Sequence, residues 1–197
     1  MPKVIALNLS APLQSWAGYS VVKTRVDTGR EPSPRAIKGL ISAAFGIHRG
    51  SEIPDAIVNT NIEVVTVKSG KIVRDYQTVS GQDADREGSK PHNSEFFEKI
   101  GRVLNRGKSK PLNFIFEQTV IKRTYLADAQ FLVFVQGATD EDTDEIYQNL
   151  LSPVWSPYLG RKAFAPEFPF ILGLYEKDAV YKESEKLLQL VVEEVKA

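Results

Sequence analysis

The chain has 197 residues, no cysteine, two histidines and equal numbers of basic and acidic residues, which give a formal net charge of zero. The lack of cysteine excludes disulfides and thiolate metal sites, and two histidines argue against a zinc site, so we expect no cofactor. The length predicts one large domain, or one domain with an insertion. The apolar runs are far shorter than a membrane helix and residues 1–16 match a signal peptide poorly, so we expect a cytoplasmic protein.

The charges are unevenly distributed along the chain. Residues 22–50 contain six basic and two acidic residues, and residues 99–123 contain seven basic and one acidic. Residues 139–145 contain five acidic residues and no basic one. Because the local field steers an anionic partner, a neutral total is compatible with nucleic-acid binding by the basic segments.

The N-terminal segment predicts a strand over residues 3–9, where Ile5, Leu7 and Leu9 lie on one face and the intervening residues on the other. We expect Pro12 to end this strand and residues 13–19 to form a loop. The aromatic ring of Trp16 in this loop is equally suited to anchoring the core and to stacking on a base.

A basic loop, residues 22–34, leads into a predicted helix that starts at Ser33-Pro34 and ends near Gly46. Arg35 and Lys38 fall in its first turn, where free backbone N–H groups favour an anion. Gly39 costs helix stability, and its benefit would be the close approach of a ligand to the backbone.

The middle of the chain predicts a β-hairpin over residues 62–79 that turns at Ser69-Gly70. Residues 80–111 are polar, and their length predicts a long loop that is either functional or disordered. Two β-rich runs follow over residues 112–121 and 124–136, joined by Lys122-Arg123.

The last third predicts a helix over residues 139–151, capped by Thr139, with an apolar face formed by Ile146, Leu150 and Leu151. A loop over residues 152–169, a strand over 170–175 and a helical tail over 182–196 follow.

Within that loop, Gly160 is followed at once by Arg161 and Lys162. Glycine permits a positive φ or a close backbone approach, and two cations beside aromatic residues suit a phosphate and a base. A solvated β-turn with a basic tip is the simpler interpretation of the motif taken alone.

The order of elements, without residues 80–111, is close to βαββαβ. This order predicts an α+β, ferredoxin-like sandwich with the topology of the RNA recognition motif (RRM). The predicted organisation is an RRM-like domain over residues 1–175, a thumb-like insertion at about 80–111, and a short C-terminal helical tail over 176–197.

Several blocks together resemble the CRISPR-associated (Cas) protein family five of type I-E. They follow the family's order and cover most of residues 1–175: LSAPLQSWA (9–17), the basic segment 24–30, PSPRAIKGLISAAFGIHR (32–49), RDYQTVSG (74–81), IKRTYLADAQFLVFV (121–135) and SPYLGRKAFAP (156–166). We call residues 156–166 the glycine loop.

The resemblance implies a non-catalytic RNA-binding subunit of the CRISPR surveillance complex Cascade, which grips and caps the 5′ handle of the CRISPR RNA in antiviral defence. Its implied partners are that RNA, the adjacent backbone subunit and the large subunit, with no membrane, and the insertion would be a thumb folded over the RNA. The residues implied to bind RNA are Gln14, Trp16, Lys23, Arg25, Arg30, Arg35, Lys38, Arg74, Tyr76, Lys122, Arg123, Tyr158, Gly160, Arg161 and Lys162.

Two other functions are compatible with the residues. A metal-independent endoribonuclease that processes CRISPR repeat RNA would need a base such as His48 or His92, or a pair such as Tyr76 and Lys122. A ferredoxin-like domain without nucleic acid would account for the fold and leave the basic clusters unexplained. We expect instead that residues 22–38, 122–123 and 160–162 converge into one basic groove.

Overall fold

The computed structural model describes residues 2–16, 25–79, 119–180, 182–184, 186 and 189. The chain divides into two compact units. The larger unit comprises Met1–Tyr19, Asp27–Val73 and Thr124–Ala197, and the smaller unit comprises Ser20–Val26 and Arg74–Arg123. The predicted insertion at about 80–111 lies outside the described residues.

The described chain is a mixed α/β structure. Its elements, in chain order, are β1 (Lys3–Gln14), β2 (Arg25–Val26), α1 (Pro34–Ala44), α2 (Asp55–Val58), β3 (Asn61–Val79), β4 (Thr119–Gln136), α3 (Asp140–Leu151) and β5 (Ile171–Glu176). Residues 180, 182–184, 186 and 189 are also helical, and the other apolar positions of the predicted tail helix lie outside the described residues.

The larger unit is built on an antiparallel sheet with β1 at its centre. β1 pairs with β4 on one side, with Leu7 opposite Val133, and with β5 on the other, with Ile5 opposite Leu174. β3 pairs with β4, so the strand order in this unit is β5-β1-β4-β3. In the smaller unit the short β2 runs parallel to the start of β4.

The core of the larger unit lies between one face of this sheet and the helices. Ile5, Leu7 and Leu9 of β1 point into it, as the alternation predicted. They meet Phe131 of β4 and further buried side chains from the three helices, namely Ile37, Ile41, Ile57, Ile146 and Leu150. The opposite face carries a smaller apolar cluster of Val4, Ala6, Leu132, Phe134 and Val180. Each alternating strand therefore buries residues on both faces.

The two long helices begin at the capping residues that the sequence predicted. Ser33 accepts a hydrogen bond from the backbone N–H of Ala36, and Pro34 occupies the first turn of α1. Thr139 and Asp142 form a reciprocal capping box at the start of α3. Leu151 is an exception to the predicted apolar face, because its side chain is 52% exposed at the end of α3.

Pro12 does not end the first strand, which continues to Gln14. The residues on either side of Pro12 pair with β4, Ala11 opposite Ala129 and Leu13 opposite Ala127. Between these partners Asp128 has a positive φ of 53°. The strand therefore passes through a proline, which lacks an N–H, where its partner strand is irregular.

The predicted hairpin over residues 62–79 is wrong, because β3 is one continuous strand of 19 residues. Gly70 has a φ of +64°, but it lies against β4 and does not turn the chain. A Cβ at this position would be 2.5 Å from the carbonyl oxygen of Ala127. The glycine thus permits close approach of two paired strands. Lys122 and Arg123 were predicted to join two strands, and they instead lie inside β4.

Candidate nucleic-acid interface

Gln14 and Trp16, at the end of β1, are buried in the larger unit. Trp16 is 3% exposed and belongs to the main core cluster. Its indole N–H donates to Oε1 of Gln14 at 2.9 Å, and Nε2 of Gln14 donates to the carbonyl oxygen of Ala129 at 2.7 Å. Of the two roles considered for Trp16, the structure shows the core anchor, because its ring has no free face for a base.

The segment after the basic strand β2 is tied to the end of β1 and to β4. The backbone N–H of Gly29 donates to the carbonyl of Trp16 at 2.7 Å, and the N–H of Trp16 donates to Oγ1 of Thr28 at 2.8 Å. The N–H of Thr28 donates in turn to Oγ1 of Thr124 at 2.8 Å. These bonds position the chain at residues 27–29 within the larger unit.

The glycine loop lies against the same end of β1. The N–H of Ser15 donates to the carbonyl of Leu159 at 3.0 Å, and the side chain of Leu159 is fully buried. Gly160 has a φ of +90°, and a Cβ there would be 1.7 Å from the carbonyl oxygen of Ser15. The close approach that the glycine allows is therefore made by the protein's own backbone.

Beyond the glycine, the loop presents its two cations differently. The guanidinium of Arg161 lies 5.1 Å from the ring centroid of Tyr125, a buried residue of β4. Phe164 contacts the same ring edge-on, with centroids 5.2 Å apart. Lys162 is exposed, and Tyr158 is 37% exposed. Arg161 is thus held by an aromatic platform while Lys162 extends into solvent.

The cations near the start of α1 that were predicted to bind RNA differ in exposure and in their contacts within the protein. Arg30 and Arg35 are exposed. The ammonium of Lys38 donates to the carbonyl of Val58, which is at the end of α2. Lys38 therefore has a structural partner, whereas Gly39 faces open space with no described atom within 4 Å of a Cβ at that position.

The smaller unit forms a second cationic site. β2 places Arg25 opposite Lys122 and Val26 opposite Arg123. Nζ of Lys122 lies 5.5 Å from the ring centroid of Tyr76, which is 64% exposed. Arg74 is exposed too, and Nε of Arg123 is buried with no hydrogen-bond partner among the described residues.

The structure therefore brings together two parts of the predicted set. In the larger unit the end of β1 contacts both the glycine loop and residues 27–29, and in the smaller unit β2 pairs with residues 122–123. Lys23 and His92 lie outside the described residues. His48 is exposed and contacts Trp155 edge-on, at 5.0 Å between ring centroids.

The sequence did not indicate the residues that build the candidate site in the larger unit, which are Ser15, Thr28, Thr124 and Tyr125. Tyr125 was absent from the prediction because it stands in an apolar run typical of a core strand. Its only signal was its position shortly after the basic pair Lys122-Arg123. In the described part of the chain no group of three or more His, Asp or Glu residues could hold a metal ion, and no helix is long and apolar enough to cross a membrane.

A family model and a curated relative both match this chain in sequence. Residues 4–192 match the family described as "CRISPR-associated protein (Cas_Cas5)". The chain is 27% identical over 187 residues to the CRISPR system Cascade subunit CasD of Escherichia coli (strain K12), over 88% of this chain and 71% of that protein.

Two solved structures extend the similarity to the fold. A chain of a CRISPR RNA-guided surveillance complex superposes with a TM-score of 0.66 at 30% identity, over 90% of this chain and 66% of that chain. A second, described as a Cas protein, superposes with a TM-score of 0.53 at 23% identity, over 89% of this chain and 63% of that chain. The chain thus spans just under two thirds of the length of these solved relatives. Because residues 4–192 match the family model, the chain belongs to the CRISPR-associated Cas5 protein family.

Proposed function

We propose that this protein is a non-catalytic, RNA-binding subunit of a type I-E CRISPR surveillance complex and that it grips and caps the 5′ handle of the CRISPR RNA. The observation that carries this proposal is the seating of Arg161 on Tyr125, beside the exposed Lys162. Membership of the Cas5 family and the resemblance to a surveillance-complex chain support the choice of RNA.

The geometry of Arg161 suits a phosphate. A guanidinium that stacks on an aromatic ring keeps its N–H groups directed outward in its own plane, where they can donate to phosphate oxygens. Because the ring already restricts the side chain, less conformational entropy is lost when an anion binds. Lys162 adds an unrestrained positive charge one residue away.

The smaller unit contributes a second set of phosphate contacts in this proposal. Arg25, Arg74, Lys122 and Arg123 are four cations, against one carboxylate, Asp75, among its described residues. That carboxylate accepts a hydrogen bond from Gln77 at 2.8 Å.

The proposed contact set is therefore narrower than the sequence indicated. It keeps Lys23, Arg25, Arg30, Arg35, Arg74, Tyr76, Lys122, Arg123, Tyr158, Arg161 and Lys162. Gln14, Trp16 and Gly160 act by positioning the glycine loop, since each is engaged with the protein itself. Lys38 mainly holds the end of α2 in place, because its ammonium donates a hydrogen bond to the carbonyl of Val58.

The finer fold assignment belongs to the same proposal. The order β5-β1-β4-β3, with β1 antiparallel to both neighbours, supports a ferredoxin-like or RRM-like domain over residues 1–175. Residues of about 80–111 would form a thumb over the RNA, and residues 176–197 a C-terminal tail. The partners would be the CRISPR RNA, the adjacent backbone subunit and the large subunit, in the cytoplasm.

One observation favours the endoribonuclease as a second candidate. Lys122 and Tyr76 are neighbours, as an acid–base pair would require. The ammonium, however, lies over the ring, an arrangement that a cation–π contact explains without catalysis. We therefore place the nuclease second.

The test is a binding titration of the purified chain with RNA derived from its own CRISPR repeat. Arg161→Glu is expected to weaken binding at least about tenfold, since it removes a charge-assisted hydrogen bond and adds a repulsive charge. The slope of log affinity against log salt should become shallower by about 0.7 for each phosphate that the variant no longer neutralises.

Lys177→Glu is the matched control. Lys177 is exposed, and its backbone N–H donates to the carbonyl of Pro2, at the opposite end of β1 from Ser15. β1 has 12 residues, so the two ends are about 35 Å apart. Unchanged affinity in Arg161→Glu, or an equal decrease in both variants, would remove the glycine loop from the RNA site.

A further inference from the structure

Phe168 is the most exposed large apolar side chain among the described residues. Its side chain is 94% exposed, and it lies between the glycine loop and β5. Isolated exposed apolar residues are common on soluble proteins and need no explanation by themselves. What sets Phe168 apart is the rigidity of the backbone that carries it.

Hydrogen bonds to β1 brace the chain on both sides of Phe168. Before it, the N–H of Glu167 donates to the carbonyl of Ser10 at 2.7 Å, and the Ser10 hydroxyl donates to the Glu167 carboxylate. After it, the N–H of Asn8 donates to the carbonyl of Phe170 at 2.8 Å, and the Asn8 amide donates to the carbonyl of Pro169 at 3.2 Å. The ring is therefore presented outward from the sheet edge by a fixed backbone.

A rigid, exposed aromatic ring suits a protein interface. Aromatic side chains dominate the binding energy of protein interfaces when they enter a pocket that excludes water. Pre-organisation of the backbone reduces the entropy lost on association. The flanking Ala165, Pro166 and Pro169 carry no charge and enlarge the uncharged surface around the ring.

The surroundings favour a protein over an RNA base. Base stacking on an aromatic ring is normally combined with cations that hold the adjacent phosphates. The charged neighbour of Phe168 in this segment is Glu167, a carboxylate that would repel a phosphate. Along β1, the brace at Ser10 is five residues, or roughly 16 Å, from Ser15, which contacts Leu159 and Gly160 of the glycine loop.

We infer that Phe168 is a docking anchor that enters an apolar pocket on a neighbouring protein subunit, with hydrogen-bond donors or cations at the rim facing Glu167. That this neighbour is a subunit of the same surveillance complex rests on the proposed function.

The experiment replaces Phe168 with the photo-crosslinking residue p-benzoyl-phenylalanine in the complex assembled with CRISPR RNA and the co-encoded subunits. The expected result is a crosslink to one protein subunit. A crosslink to the RNA, or no crosslink in an assembled complex, would overturn the inference.

Phe168→Ala and Leu151→Ala provide the quantitative comparison, because both remove an exposed apolar side chain from the larger unit. Phe168→Ala is expected to weaken incorporation into the complex at least about tenfold, and Leu151→Ala less than about twofold. Equal effects would contradict the anchor.

RNA titrations of the same isolated variants keep the two proposals apart. The anchor predicts that Phe168→Ala binds RNA like the unsubstituted chain. Failure of the RNA-binding proposal would show in the unsubstituted chain, whereas failure of the anchor would show only in assembly or in the crosslink.

Discussion

The backbone of Gly160 lies against the carbonyl group of Ser15, so closely that a Cβ on residue 160 would be 1.7 Å from the Ser15 oxygen. The adjacent hydrogen bond from Ser15 to Leu159 fixes the two segments side by side. This contact sets where the chain leaves β1 and where Arg161 meets Tyr125. The glycine loop is consequently a part of the folded core as well as a candidate RNA surface.

Gly160→Ala should destabilise the larger unit. Alanine disfavours a φ of +90°, and its methyl group would require the Ser15 carbonyl to move. We expect a decrease of about 1–3 kcal/mol in the free energy of unfolding, measured by denaturant titration with circular dichroism. RNA affinity should fall as well, because Arg161 would be displaced. A variant with unchanged stability would contradict the close contact with Ser15.

Gly39→Ala should have the opposite effect on stability. Gly39 lies on α1 and faces open space, so alanine adds helix propensity at no steric cost. We expect an increase of up to about 1 kcal/mol in the same titration. If RNA approaches the first turns of α1, as proposed, the added methyl group should also weaken RNA binding. Higher stability with unchanged RNA affinity would exclude RNA contact as the reason for this glycine.

Gln14→Leu should lower stability because it leaves the buried indole N–H of Trp16 without its acceptor. An unpaired buried donor costs about 1–3 kcal/mol. Adding Trp16→Phe removes that donor, so the two substitutions should be less than additive in a double-mutant cycle of unfolding free energies. Strict additivity would show that the Gln14–Trp16 hydrogen bond does not contribute.

Tyr76→Phe separates the scaffold from the nuclease. The substitution removes the phenol oxygen and keeps the ring beneath Lys122. In the scaffold interpretation, repeat RNA stays intact in EDTA with both the unsubstituted chain and the variant, and their RNA affinities agree within about threefold. Specific cleavage by the unsubstituted chain that Tyr76→Phe abolishes would establish the nuclease. Denaturing gel electrophoresis of labelled RNA provides the measurement.

Tyr175 should make the larger unit sensitive to alkaline pH. Burial raises the pKa of its phenol above the ordinary value, and the charge of Glu183 adds to the effect. The folded state therefore holds this proton more tightly than the unfolded state. The resulting stabilisation is fully present below the unfolded pKa and disappears as the pH rises through the folded pKa.

Tyr175→Phe should accordingly lose less stability than the unsubstituted chain between neutral pH and pH values above 10. At neutral pH the variant should be less stable by about 1 kcal/mol, because the Tyr175 hydroxyl donates to the carbonyl of Leu172. Unfolding titrations at several pH values measure both effects. Parallel curves for the two proteins would contradict a raised pKa.

Local sequence signals predicted the two long helices and several strands. Ser33-Pro34 and Thr139 mark helix starts through bonds that each makes within four residues. The alternation of Ile5, Leu7 and Leu9 predicted which side chains of β1 enter the core. These features depend on neighbours along the chain, so the sequence alone carries the necessary information.

Several predictions failed because the deciding partners are distant in sequence. Ser69-Gly70 has the composition of a hairpin turn, but the segment pairs with β4, so Gly70 meets Ala127. Lys122 and Arg123 look like a linker and are part of β4, whose pairing overrides their low strand propensity. The sequence left Trp16 equally suited to a base and to the core, and its burial in the core cluster that also contains Phe131 and Leu159 decides for the core.

The sequence by itself determined the helix caps, the apolar faces of β1 and the cationic segments, because composition and short-range spacing specify these features. Only the tertiary structure decided which of those cations are available and which glycines serve the protein's own packing. Arg161 acquires its platform from Tyr125, which is 36 residues away in the chain, and Gly160 meets Ser15, which is 145 residues away. Such contacts depend on strand pairing and loop closure, which no local pattern encodes.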